Sequence, residues 1–160
     1  MDGSVMRWWE RKHDYGFLVV LVLVLLLLIC TASKLLADTY RITHDEGGIL
    51  TDYVDRFHQL SLSGKTVIID GHCFSACTVV LMLPPGRRCA TPQARLHFHS
   101  AYVSYPWMPW VRFTDVQMTQ YMQQFYPGSV RKWINQRGGL TNRYITLAPN
   151  EIYKHVRPCR

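Results

Sequence analysis

Of all the stretches in this 160-residue chain, Gly71-His72-Cys73-Phe74-Ser75-Ala76-Cys77 has the residue types best suited to chemistry. It lies between the apolar runs Val67 to Ile69 and Thr78 to Leu83, so a buried strand, a tight turn and a helix are predicted in immediate succession. Such a turn presents its side chain at the end of the strand, and its N–H groups have no partner in the helix that follows. Ser75 therefore has the position of a nucleophile, with donors at hand for a developing oxyanion. A serine here is also an ordinary helix N-cap, and the turn alone does not separate the two roles. A base is on offer in Ala94 to His99, where alternation puts His97 and His99 on one face of a strand and Leu96 and Phe98 on the other. Histidines on a half-exposed strand are more often plain polar residues, so neither feature decides the matter alone.

The elements that must position these residues can be read on either side. Thr39 to Thr43 alternates like a strand, and His44-Asp45-Glu46-Gly47-Gly48 is a turn. Ile49, Tyr53, Val54, Phe57 and Leu60 then recur at helical spacing. Asp45 and Glu46 sit where they complement that helix's dipole, a structural role. Thr66 to Asp70 reads as a second, buried strand. A strand, a helix and a strand in about thirty residues form a βαβ unit, which brings both glycine-containing turns to one edge of a parallel sheet. Pro84-Pro85-Gly86 stops the helix that begins at Ser75, and Arg87 to Ala90 is a further short strand. Ala101 to Phe113 is dense in aromatics, holds two prolines and cannot be a helix. It suits an extended peptide, a membrane interface or core packing. Val116 to Tyr126 and Val130 to Gln136 read as helices.

At the amino terminus, Phe17 to Ile29 is an unbroken apolar run. Extended to Tyr15 and Ala32 it has 18 residues, which at about 1.5 Å each covers most of a hydrocarbon layer. The expected organisation is a cytoplasmic segment 1–14, a transmembrane anchor 15–32, a linker 33–38 and one domain, 39–160. Arg7, Arg11 and Lys12 before the run favour an inner-membrane, single-pass topology with the domain facing the periplasm or cell exterior. A cleaved signal peptide is the alternative, because the uninterrupted core is 13 residues long and Thr31-Ala32-Ser33 offers small residues for cleavage.

The formal net charge is +7, which suits anionic lipid or envelope polymers, and no nucleic-acid motif accompanies it. Four cysteines, Cys73, Cys77, Cys89 and Cys159, follow the apolar run and are disulfide candidates in an oxidising compartment. Cys73, Cys77 and Cys89 lie in adjoining elements around one turn, so a bridge from Cys89 to Cys73 or Cys77 is predicted. In a reducing compartment the same cysteines with His72, His97 and His99 suggest zinc, but their spacing fits no regular finger.

The order of a Gly-Gly turn with its helix, an apolar strand, Gly-x-x-x-Ser with a following helix, and Pro92-Gln93-Ala94-Arg95-Leu96-His97-Phe98-His99 resembles the proteolytic subunit of Clp protease and its relatives in the Clp/crotonase superfamily. It is especially similar to exported bacterial Clp-like proteins that carry a Cys-x-Ser-Ala-Cys turn. The resemblance covers about Ile42 to His99, with a weaker continuation toward Tyr153.

What it implies is an α/β domain, a Clp/crotonase-type spiral of ββα units, that cleaves peptide or protein substrates and can form homo-oligomers. Ser75 falls on the nucleophile and His99 on the catalytic histidine. The oxyanion-hole N–H groups fall on Gly48 (or Gly47) and Ala76. Asn142, in Asn142-Arg143-Tyr144-Ile145-Thr146, stands where the family has an aspartate. An asparagine orients an imidazole but stabilises the imidazolium less than a carboxylate does. This chemistry needs no cofactor and no metal. The other readings are a catalytically inactive peptide-binding or scaffold module and an acyl-CoA site of the crotonase kind, which leaves Ser75 and His99 without a role.

Overall fold

The structure is a computed structural model that describes residues 18–28 and 39–159. Residues 18–28 are helical and their leucine and valine side chains are exposed. Among the described residues no helix is long and apolar enough to cross a membrane. The span expected over 15–32 extends at both ends beyond this helix, and those ends, like 1–14 and 33–38, lie outside the described residues.

The second unit, Thr39–Arg160, is mixed α/β. It opens with strand β1 (Thr39–Asp45), helix α1 (Leu50–Leu62) and strand β2 (Thr66–Phe74). β1 and β2 pair in parallel, as the βαβ reading requires. Val67, Ile69 and Cys73 of β2 point into the core against Leu50, Tyr53 and Phe57 of α1, while Ile68, Asp70 and His72 face the other way. Burial of each large apolar side chain stabilises the fold by about 1.5–3 kcal/mol.

The β1–β2 register slips between Ile42 and His44, where β2 carries one residue more than β1. Gly71 is in that bulge, and a Cβ built on it would stand 1.8 Å from the Thr43 carbonyl oxygen. Only a glycine lets the two strands approach this closely.

β2 runs straight into a 3-10 helix, Ser75–Met82, whose residues Ala76 to Leu81 are all buried. Thr78 Oγ1 donates to the Ser75 carbonyl at 2.6 Å, three residues back, and Leu83 N–H donates to Val80 O in the same pattern. A one-turn 3-10 segment, Pro85–Arg87, follows. β3 (Arg88–Ala90) and β4 (Arg95–Phe98) each pair in parallel with β2. Arg88 is buried, and its guanidinium donates to the carbonyls of Leu81 and Leu83 at the C-terminal end of the 3-10 helix, where a cation suits the dipole.

The aromatic stretch is a separate hairpin of β5 (Tyr102–Tyr105) and β6 (Met108–Thr114). Helices α2 (Val116–Gln124) and α3 (Gly128–Asn135) follow, near their expected bounds. β7 (Ile145–Leu147) then adds antiparallel to β4, giving the sheet path β1-β2-β4-β7 with β3 beside β2. A short helix, α4 (Pro149–Ile152), leads to a tail in which Cys159 N–H donates to Ala90 O.

The disulfides correct the expected pairing. The bridges are Cys73–Cys77 and Cys89–Cys159. Cys89 stands opposite Ile68 in the β2–β3 register. That is five residues before Cys73, or about 16 Å along the strand, too far to bridge. All four cysteines of the domain are thus oxidised, so none is a thiolate available to zinc.

Candidate active site

Ser75 is the non-glycine residue with positive φ (53°) among the described residues. An L-residue in this conformation costs about 1–2 kcal/mol, and such strain gathers where a side chain must be aimed. The cause is local. β2 ends at Phe74 and the helix begins at the next residue, so Ser75 alone turns the chain. The Cys73–Cys77 bridge closes over this turn, and both cysteines are fully buried, which ties the end of the strand to the first turn of the helix. The N-cap position of this helix is Phe74 and Ser75 is already its first residue, so the N-cap role does not fall on Ser75.

The Gly47-Gly48 turn packs against it. A Cβ built on Gly47 would stand 2.6 Å from Phe74 O, 2.8 Å from Ser75 Cβ and 3.1 Å from Ala76 N. Gly47 also has φ +80°, so the position suits a glycine twice over. Asp45 fixes the turn, accepting from Gly47 N–H at 2.9 Å and from the Tyr53 hydroxyl, with Arg56 3.5 Å away. Burial, then the Asp45 bond, pushes the Tyr53 hydroxyl up to about 12, so it stays a donor. Asp45 is therefore structural through these bonds, which fix the turn, where the sequence pointed to a complement of the helix dipole. They also decide between the two glycines. Gly47 N–H is used by Asp45, whereas Gly48 N–H has no partner among the described residues and Ala76, in the first turn of its helix, has no intrahelical acceptor.

Ser75, Ala76, Gly47, Gly48 and His99 line one open cleft of about 450 Å³. The two loops thus meet at one sheet edge. His99 lies just beyond β4 and is 5 % exposed. Its ring stacks on Tyr102 (5.7 Å) and meets Tyr144 edge-on (4.8 Å). Burial, with the charge of Arg112 acting the same way, holds its imidazole below the ordinary value, against a bond to the Ser100 backbone. A neutral imidazole at neutral pH is the form a general base requires.

His97 is elsewhere. It is bonded to His72 and to Thr146 Oγ1, each at 2.9 Å, stacks on Phe74 and does not line the cleft. Burial first, then His72 and Arg95, push it down to about 4.

Asn142 and His99 border one small cavity of about 60 Å³, but no hydrogen bond joins them. Asp115, the carboxylate nearest in sequence, caps α2 through Met118 N–H at 2.8 Å. Among the described residues, the side chains whose rings pack on His99 are those of Tyr102 and Tyr144, beside its bond to the Ser100 backbone. Neither was legible as a site residue. Tyr144 stands two residues past Asn142, and Tyr102 looked like part of a general aromatic run.

No protein-family model matches the chain, and no curated protein matches it. Among solved structures, a ClpP1 mutant from Listeria monocytogenes is similar to it at 16 % identity, over 77 % of this chain and 75 % of that one, with a TM-score of 0.42.

Proposed function

We propose that the chain is a membrane-anchored, exported Clp-like serine peptidase whose domain is built as a spiral of ββα units. The observation that carries this is the strained Ser75 turn in one cleft with a buried, neutral histidine and two unpaired N–H groups. In this reading His99 takes the Ser75 hydroxyl proton as Oγ attacks the peptide carbonyl carbon. The oxyanion is held by the N–H groups of Gly48 and Ala76. Collapse breaks the C–N bond, and the leaving amine takes the proton from His99. Water then gives a proton to the same imidazole as its oxygen attacks the acyl carbon, the C–Oγ bond breaks to free the acid, and Ser75 Oγ takes that proton back from His99. Asn142 occupies the third position. Residues 15–32 are the anchor, and the two disulfides support an oxidising location, the periplasm or cell exterior.

Glu46 and Asp115 line the same cleft, but among the described residues no carboxylate is bonded to His99, which favours one alternative, a catalytically inactive module that binds peptides in the cleft. Cleavage of an unfolded protein substrate by the full chain, compared with Ser75→Ala, separates the two. The peptidase reading predicts fragments from the parent and none from the variant, whereas binding without fragments by both is the result of an inactive module.

A further inference from the structure

Among the described residues, β5 and β6 pair only with each other. A lone two-stranded hairpin is marginal in water, and this one exposes Tyr105, Trp107, Trp110 and Phe113. Tyr105 stacks on Trp107 at 4.9 Å and meets Phe113 edge-on at 5.9 Å, so these three form one patch, with Trp110 exposed on the same hairpin. At its root, Tyr102 and Val103 line the cleft. We propose that the tip of this hairpin, Tyr105 to Trp110, seats in the headgroup region of an anionic bilayer, which sets the cleft beside a lipid surface.

Three observations favour lipid over other occupants. Trp107 and Trp110 are 69 % and 76 % exposed, which makes them projections and not the walls of a peptide groove, and neither lines the cleft. Tryptophan and tyrosine, apolar with a polar edge, suit the membrane interface.

Charge points the same way. Between His99 and Glu151 the sequence has one acidic residue, Asp115, against Arg112, Arg131, Lys132, Arg143 and Arg137, the last of them paired with Glu151 at 2.9 Å. Asp115 is engaged as a helix cap. This half of the domain is therefore attractive to anionic headgroups. The Arg112 guanidinium lies over the Tyr102 ring, its Cζ 4.5 Å from the centroid, which keeps a positive charge at the root of the hairpin.

Finally, the same chain carries the apolar run 17–29, and only residues 29–38 follow before β1. Ten extended residues reach at most about 35 Å. If that run enters lipid, the hairpin stays within reach of the surface at a high effective concentration. The inference rests on the proposed tether for proximity, and not on peptide cleavage.

The test uses the full chain in vesicles of phosphatidylcholine and phosphatidylglycerol whose acyl chains are brominated near the headgroup. One variant, Trp8→Phe with Trp9→Phe, keeps Trp107, Trp110 and the buried Trp133. A second also carries Trp107→Phe and Trp110→Phe. The first should lose roughly half of its fluorescence relative to unbrominated vesicles, as expected of tryptophans in the interface, and the second almost none. Quenching should weaken in pure phosphatidylcholine, and equal quenching there would overturn the anionic preference. Flotation of the second variant with the vesicles reports the tether separately, so failure of the tether and failure of the hairpin are distinguishable. Blue emission that bromine does not quench and that reddens on dilution would indicate a second copy. Red, unquenched emission that turns blue when peptide is added would indicate a peptide grip. Either result, or unquenched emission of any other kind, or quenching of Trp133 alone, overturns the proposal.

Discussion

Gly47 and Ser75 are in direct opposition: a methyl group on the glycine would stand 2.8 Å from the serine Cβ. Gly47→Ala should therefore push the Gly47-Gly48 turn away from Ser75 and, with φ at +80°, cost about 1–3 kcal/mol of stability. At Gly48 a Cβ meets only Tyr53, at 3.4 Å, and the N–H survives substitution. Gly48→Ala should keep the parent's urea midpoint. Equal midpoints for both variants would contradict the packing described.

Gly71→Ala tests the bulge. Its Cβ would overlap the Thr43 carbonyl, a backbone atom that cannot yield as a side chain does. A loss of about 3 kcal/mol or more in urea unfolding is expected. A loss below 1 kcal/mol, on the order of an ordinary surface change, would show that β1 is not held this way.

Non-reduced digests should yield Cys73 linked to Cys77 and Cys89 linked to Cys159. Replacing Cys89 and Cys159 together by serine opens a loop of 70 residues and should lower stability by roughly 2–4 kcal/mol. Because this bridge lies near the start of β2, away from Ser75, the variant should keep whatever labelling of Ser75 the parent shows.

The histidines set the pH response. His97 and His99 are both held below their ordinary value, mainly by burial, so the folded state prefers them neutral. Their stabilisation is complete above the unfolded value, about 6.5, and is lost as pH falls through the folded ones. The urea midpoint should fall from pH 7 to pH 5, and His97→Gln should flatten that fall. The acid limb of Ser75 reactivity should lie below the ordinary imidazole value, since His99 must be neutral to act. An acid limb above 7 would point to a different base.

Much of this could be read from residue order because it rests on local physics. The β-branched run before Gly71, the helical spacing from Tyr53 to Leu60 and the Gly47-Gly48 turn dictate strand, helix and turn, whereas Gly71, expected in the second turn, lies in a bulge within β2 and Ser75 makes that turn. The disulfide pairing is not legible in sequence order, because it depends on the register that puts Cys89 opposite Ile68. Tyr102 and Tyr144 were missed because contacts with His99 form only when the hairpin root and the segment before β7 converge on it. Aromatic residues carry no sign of which of them will meet.

The most direct test of the central claim is labelling of the full chain by a fluorophosphonate, with the site mapped by mass spectrometry. Ser75 should be the labelled residue. Ser75→Ala and His99→Ala should each abolish the label, and His97→Ala should largely retain it, because His97 is bonded to His72 and Thr146 outside the cleft. Absence of label from the folded parent, or label that survives Ser75→Ala, would contradict a nucleophilic Ser75.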